Sequence, residues 1–273
     1  MDEADHVLHV ATAGWNVPRE LATHTASQGT VLQKYARLLG ATEINSTFYR
    51  RHRPGTFARW RDSVPDGFRF AVKMPRSITH EAALVSPRAE LSAFFSDLEP
   101  LGNKLGPILV QLPASVHFEA RRVRAFFRLL RSMHPGPVAC EPRHASWYGS
   151  TAERIFVEYQ VARVLADPPR PDAAAQPGGW RSLLYVRWHG SPRIYWSAYS
   201  PERLRALALF VRKQPPTTNV WCVFDNTAAG AALHDARRFI ELCRGAQPDV
   251  AAKGQPSPAI SGSKSAGLTG LVR

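Results

Sequence analysis

Short apolar runs alternate along this chain with longer stretches in which apolar residues return every three or four positions. The runs cover residues 8–13, 42–47, 68–74, 107–112, 137–142, 160–167, 183–190 and 219–226. Their length and near-continuous hydrophobicity predict strands buried on both faces. Between them, Val31, Leu32, Tyr35, Leu38 and Leu39 keep helical spacing, as do Leu91, Phe94, Phe95 and Leu98. The clearest amphipathic stretch is 119–132, where Val123, Phe126, Phe127 and Leu130 form an apolar stripe and Arg121, Arg124, Arg128 and Arg131 take another face. Pro54, Ser86-Pro87 and Ser200-Pro201 read as helix starts, because proline loses nothing at the first helical position and serine caps it. A last helix carries Phe239, Ile240, Leu242 and Cys243.

Successive side chains of a strand point to opposite faces. Glu43, Asn45 and Thr47 therefore share one side of their run, Arg69, Ala71 and Lys73 one side of theirs, and Tyr185, Arg187 and His189 another. Several runs also stop on a polar residue: Gln111, Glu141 and Asp225 each sit where a strand ends. Eight strands alternating with helices predict a parallel α/β sheet wound by crossovers, and eight is the count that closes a (β/α)8 TIM-type barrel. An open doubly wound sheet is the alternative, but no glycine fingerprint follows the first strand. Proline, alanine and glycine fill 168–179, so the sixth helix is expected to be shortened or missing. Residues 1–245 are expected to form one domain, and 246–273, with little to bury, a disordered tail.

Composition narrows the function classes. No apolar run has the length of a membrane span and the start, MDEADHVLHV, is acidic, so a cytoplasmic protein is expected, with no membrane partner. Cys140, Cys222 and Cys243 show no metal or redox spacing, and reduced, structural thiols are expected. The formal net charge of +13 suits an anionic or nucleic-acid partner, although a bias toward arginine, alanine and proline yields the same charge without one. The oligomeric state is not legible.

The segments Gly14-Trp15, EINSTFYR from Glu43, FAVKMPRSITH from Phe70, LGPILVQLP from Leu105, CEPRHASW from Cys140, YVRWHG from Tyr185 and VFDNTAAGAA from Val223 together resemble the domain of unknown function 72 family, also called YecE-like proteins. The resemblance spans roughly residues 8–243 and implies a (β/α)8 barrel; the family's activity is not established. Two departures stand out. The segment after Trp15 lacks the Trp- and Tyr-rich loop such members carry, and Asp225 stands where asparagine is also common.

In such a barrel the site lies at the C-terminal ends of the strands. Strand parity aims Glu43, Asn45, Lys73, Gln111, Glu141, Arg143, Arg187 and His189 there, with Asp225 or Asn226 beside them and His80 on a loop. Lys73, Arg143 and Arg187 form a candidate anion clamp, Glu141 or Glu43 a candidate base, and His189 or His80 a candidate acid. Tyr49, Trp147, Tyr195 and Trp196 are candidates to stack on a sugar or base. These features point to a hydrolase or lyase acting on a phosphate-bearing or sugar-containing molecule, including a glycosidase using Glu43 and Glu141. The alternatives are a non-catalytic nucleic-acid-binding module and a purely structural network, Glu43 with Lys73 and Glu141 with Arg187. No cofactor is expected. A divalent metal is the lesser alternative: His80, Glu141, His144, His189 and Asp225 could supply its ligands, but they carry no metal-binding spacing, and Lys73 and Arg187 would repel such an ion.

Overall fold

The computed structural model describes residues 7–22 and 28–245. The strands are β1 (Leu8–Thr12), β2 (Ala41–Ile44), β3 (Arg69–Lys73), β4 (Leu105–Leu112), β5 (Val138–Pro142), β6 (Val161–Arg163), β7 (Leu165–Asp167), β8 (Gly178–Gly179), β9 (Leu183–Trp188) and β10 (Asn219–Phe224). The α-helices are α1 (Arg19–Ala22), α2 (Val31–Ala36), α3 (Ser46–Tyr49), α4 (Pro54–Asp62), α5 (Arg88–Leu98), α6 (Ala120–Met133), α7 (Ser150–Glu158), α8 (Pro201–Arg212) and α9 (Ala231–Gly245). No helix among the described residues is long and apolar enough to cross a membrane.

The strands form two sheets, β1-β10-β9-β7 and β2-β3-β4-β5-β6-β8, parallel throughout except at β8, which runs antiparallel to β6. The sheets meet twice. Ala13 bridges Glu43, and Gly14 N–H donates to the Glu43 carbonyl at 2.8 Å. In the run from Val161 to Asp167, β6 pairs with β5 while β7 pairs with β9.

Two apolar layers sandwich this ribbon. Outward-facing strand residues such as Phe70, Val72, Ile108, Val110, Val186 and Cys222 pack with the helices. In α6, Val123, Phe126, Phe127 and Leu130 are buried, each side chain worth about 1.5–3 kcal/mol when fully removed from water. Glu119 caps that helix, its carboxylate accepting from the N–H groups of Arg121 and Arg122. Facing the other way are Ala11, Ala41, Ala71, Leu109, Ala139, Tyr185, Trp221 and Val223. The alanines leave room there for Tyr185 and Trp221, which stack at 6.2 Å.

Two local expectations are corrected, one helix is added and one expectation holds. The second strand ends at Ile44, and the chain turns directly into α3, so Asn45 is a helix cap in αR conformation rather than an inward strand residue. Ser86 has φ of 47°, and α5 is capped by Pro87 instead. Helix α7 was not anticipated, although Ala152, Ile155 and Phe156 are its buried stripe. Between β7 and β9 no α-helix forms; the shortened element expected there is a single 3-10 turn, Asp172–Ala175. The tail expected to be disordered, 246–273, lies outside the described residues.

Candidate functional site

Two positions after an inward-facing alanine or tyrosine, and so on the same face, the strands place a polar group: Glu43 follows Ala41, Lys73 follows Ala71, Glu141 follows Ala139, and Arg187 follows Tyr185. At the C-terminal strand ends these groups meet. Arg187 is fully buried and holds three carboxylates. Its Nε and Nη2 donate to Glu43 at 3.0 and 2.8 Å, its Nη1 to Glu141 at 2.7 Å, and Nη2 again to Asp225 at 3.1 Å. The Tyr185 hydroxyl donates to Glu43 at 2.9 Å, and the Gln111 amide to Glu141 at 3.0 Å.

His189 joins two of the same acids. Its Nδ1 lies 3.0 Å from Asp225 and its Nε2 3.1 Å from Glu141. Burial alone would strip the ring of its proton, but the charge of Glu141 and the bonds to Asp225 and Glu141 outweigh it and raise its pKa. Burial likewise works against the charge of Glu141, yet Arg187, His189 and Arg143 hold that carboxyl well below its usual range. Asp225 is lowered by the same balance against burial, through Arg187 and His189. The guanidinium of Arg187 is raised well above its usual range because Glu43, Glu141 and Asp225 overcome its desolvation.

Lys73 sits differently. It is 8% exposed, its Nζ lies 4.2 Å from the centroid of the Phe48 ring, and no carboxylate among the described residues approaches it within ion-pair distance. Burial and then Arg187 push its pKa down to about 8. The expected Glu43–Lys73 pair is therefore not formed, because the guanidinium of Arg187 occupies Glu43 with two parallel bonds that an ammonium cannot match. The expected clamp of Lys73, Arg143 and Arg187 is also corrected: Arg187 is saturated by protein carboxylates. Arg143 remains half-buried, with long contacts of 3.4 Å to Glu141 and 3.5 Å to the Tyr195 hydroxyl. His80 lies on the π-helical turn Ser77–Glu81, its ring 4.8 Å from Phe48, and burial followed by the charges of Lys73 and Arg143 lowers its pKa.

A cavity of about 140 Å³ opens on this cluster, lined by Glu141, Arg143, Arg170, His189, Ile194 and Tyr195. A larger groove of about 340 Å³ lies between α3 and α5, with Tyr49, Arg51, Arg76, Glu81 and Asp97 on its walls. Four of its charges are matched in pairs, Arg51 with Asp97 and Arg76 with Glu81, and it contains no strand-end residue of the network.

Other expected site residues fall elsewhere. Trp147 is fully buried, donating to the Val116 carbonyl at 2.8 Å and stacking on Phe156, so it packs the helix layer. Asn226 donates to Asp235 of α9 at 2.6 Å and to the Ser197 carbonyl at 3.0 Å, which turns it away from Arg187 and into a loop anchor. Tyr49 is exposed on the groove side, and Asn45 is half-buried. His144 bonds Ser146 and stacks on His117, apart from the network. Among the described residues no group of three or more His, Cys, Asp or Glu is arranged to hold a metal ion. Two contributors escaped the sequence reading. Phe48 has the wrong strand parity and reaches Lys73 only because the chain turns into α3, whereas Tyr185 carries the same parity signal as Arg187.

The family model described as "Protein of unknown function DUF72" matches residues 9–260. Over 178 residues the chain is 31% identical to the UPF0759 protein YecE of Escherichia coli strain K12, covering 63% of this chain and 62% of that relative, less than two thirds of its length. Its backbone is similar to the crystal structure of a DUF72 family protein from Enterococcus faecalis V583, with TM-score 0.73 and 21% identity, covering 92% of this chain and 100% of that one. A DUF72 family protein from Thermotoga maritima MSB8 gives TM-score 0.71 and 24% identity, covering 87% and 99%. At these identities the structural likenesses speak to the fold alone.

Proposed function

The chain belongs to the DUF72 family of proteins of unknown function, and from that premise we propose that it is an enzyme, a hydrolase or lyase, acting on a small phosphate-bearing or sugar-containing molecule. The proposal includes closure of the two parallel sheets into a (β/α)8 barrel. The Ala13–Glu43 bridge and the sharing of the 161–167 run between β5 and β9 support it. Residues 1–245 then constitute one domain, with its reaction at the C-terminal strand ends.

The observation that carries the reading is His189 suspended between Glu141 and Asp225 at the wall of the cavity. Both ring nitrogens face carboxylates, so the imidazolium is stabilised and oriented. A substrate atom entering beside Glu141 and His189 meets a carboxylate and an acid that already share a proton path, the arrangement general acid–base catalysis requires. Arg143, whose contacts are long, is available to hold the anionic part of the ligand. Lys73, without a carboxylate partner, adds a second positive charge. Neither step calls for a cofactor.

Glu141→Gln tests this. On a panel of phosphate esters and sugar phosphates, turnover by the wild type should fall at least about a hundredfold in the variant, while binding of inorganic phosphate persists. Undiminished turnover would remove Glu141 from the chemistry. Absence of turnover on every compound, together with tight, steeply salt-dependent retention of DNA or RNA, would instead favour the non-catalytic nucleic-acid module.

A further inference from the structure

Two lysines of this chain are buried to nearly the same degree, and they are treated in opposite ways. Lys104, 6% exposed, donates to the carbonyls of Arg61 and Val64, both at 2.8 Å, and lies 3.6 Å from Asp66. That is how a structural ammonium offsets its lost hydration. The ammonium of Lys73, a residue 8% exposed, has no hydrogen bond and no ion pair among the described residues, only the face of Phe48. The three carboxylates within electrostatic reach, Glu43, Glu141 and Asp225, are all engaged by Arg187.

The geometry points to Lys73 as a covalent nucleophile that forms an imine with the carbonyl of an aldehyde or ketone carrying a phosphate or carboxylate. The inference rests on the enzymatic reading above and names its substrate class. An amine held in an apolar setting beside another cation is the arrangement that frees a lone pair at neutral pH. With its pKa near 8, roughly a tenth of Lys73 is unprotonated at pH 7, far more than of an ordinary lysine. Acid groups stand within the same cluster. Against its burial, Glu141 and Asp225 raise the pKa of His189, and His80, lowered first by burial, is also close enough for the charge of Lys73 to lower it. Arg143 is placed for the ligand's anionic group.

The step balances without an oxidant or reductant. The Nζ lone pair attacks the carbonyl carbon, the π pair moves to oxygen, and that oxygen takes a proton while the nitrogen releases one. The resulting hydroxyl is protonated and leaves as water as the nitrogen lone pair closes the C=N bond. The protonated imine then accepts the electron pair of the bond between its neighbouring carbon and a hydroxyl-bearing carbon, whose hydroxyl gives its proton to a carboxylate of the cluster as that fragment departs as an aldehyde; the enamine left behind takes a proton at carbon to restore the imine, and addition of water releases the carbonyl product and the free amine. This favours a lyase over a hydrolase.

Trapping decides it. The full chain is incubated with sodium cyanoborohydride and either pyruvate or dihydroxyacetone phosphate, and the adducts are mapped by peptide mass spectrometry; with only six lysines in the sequence, assignment is direct. One of the probes should label Lys73 at least about tenfold faster than the exposed Lys213, and Lys73→Arg should lose that label. Labelling by pyruvate alone assigns a carboxylate-bearing carbonyl, and by dihydroxyacetone phosphate alone a phosphate-bearing one. Wild-type labelling at Lys73 no faster than at Lys213 with both probes overturns the imine. If inorganic phosphate still binds in that case, the enzymatic reading stands and only the covalent step falls; if phosphate does not bind either, both fall.

Discussion

Arg187 is the residue on which the cluster depends, because one fully buried guanidinium donates to Glu43, Glu141 and Asp225 together. Arg187→Met would leave three carboxylates with only His189, the long contact of Arg143 to Glu141 and the unpaired Lys73 as compensating charge. Removing one partner of a buried pair typically costs about 3–5 kcal/mol, so the variant should lose that much stability in urea unfolding, and Arg187→Lys should recover only part of it. A Met variant within about 0.5 kcal/mol of wild type would mean that the acids find other protons or partners. The identity of the clustered side chains was legible in the sequence, since period-two parity carries Glu43, Lys73, Glu141, Arg187 and His189 to one face. Their pairing was legible only in part: the expected Glu141–Arg187 pair forms at 2.7 Å, while the expected Glu43–Lys73 pair does not. Arg187, not Lys73, reaches Glu43, because the choice depends on how strands distant in sequence stand relative to one another and on guanidinium geometry, and neither leaves a local signal. Trp147 and Asn226 misled for a related reason: both lie in the turns beyond their strand ends, Pro142 and Phe224, where the backbone sends a side chain into the helix layer or toward α9.

At the scale of elements, the eight strand positions were readable because strands covered on both sides are apolar almost without interruption, and the helices α6 and α8 because their stripes and caps agree. Where the chain breaks that regularity, as at Asn45 entering α3 or in the Pro- and Gly-rich passage before β9, tertiary context decides. The exit from β9 shows how. Gly190 has φ of 95°, and a Cβ there would lie 3.0 Å from both the Asn226 Cβ and the Ser197 carbonyl oxygen. The residue thereby holds the 191–199 loop, with Tyr195, against the anchor made by Asn226 and Asp235. Gly190→Ala should cost about 1–3 kcal/mol through backbone strain and crowding, whereas Gly40→Ala, which meets nothing within 4 Å, should change stability by less than about 0.5 kcal/mol. Thermal unfolding of the two variants side by side is the check; equal stability would show the loop to be free to shift.

At the scale of the whole molecule, the question is whether the net charge of +13 belongs to the same function as the strand-end cluster. The arginine face of α6 is the natural test surface, and the fold has already used part of it. Arg131 donates to the carbonyls of Tyr159, His134, Gly136 and Gln160, strapping α6 to its neighbours, and Arg124 pairs with Glu158. Arg121 and Arg128 remain exposed on that face. A cluster that handles small anions works by local geometry, so charge on a distant helix face should affect encounter and solubility but not turnover. Arg121→Glu combined with Arg128→Glu should therefore leave turnover unchanged and stability within about 0.5 kcal/mol. If both arginines contact phosphates, retention of DNA at low salt should weaken, with the salt dependence of that retention falling by about two contacts' worth. Filter binding across a salt series and turnover measured on the same preparations separate the two properties. A parallel loss of both would make the basic face part of substrate recognition and move the reading toward a nucleic-acid substrate; loss of DNA retention alone leaves the surface charge independent of a site built from Arg187, Glu141 and His189.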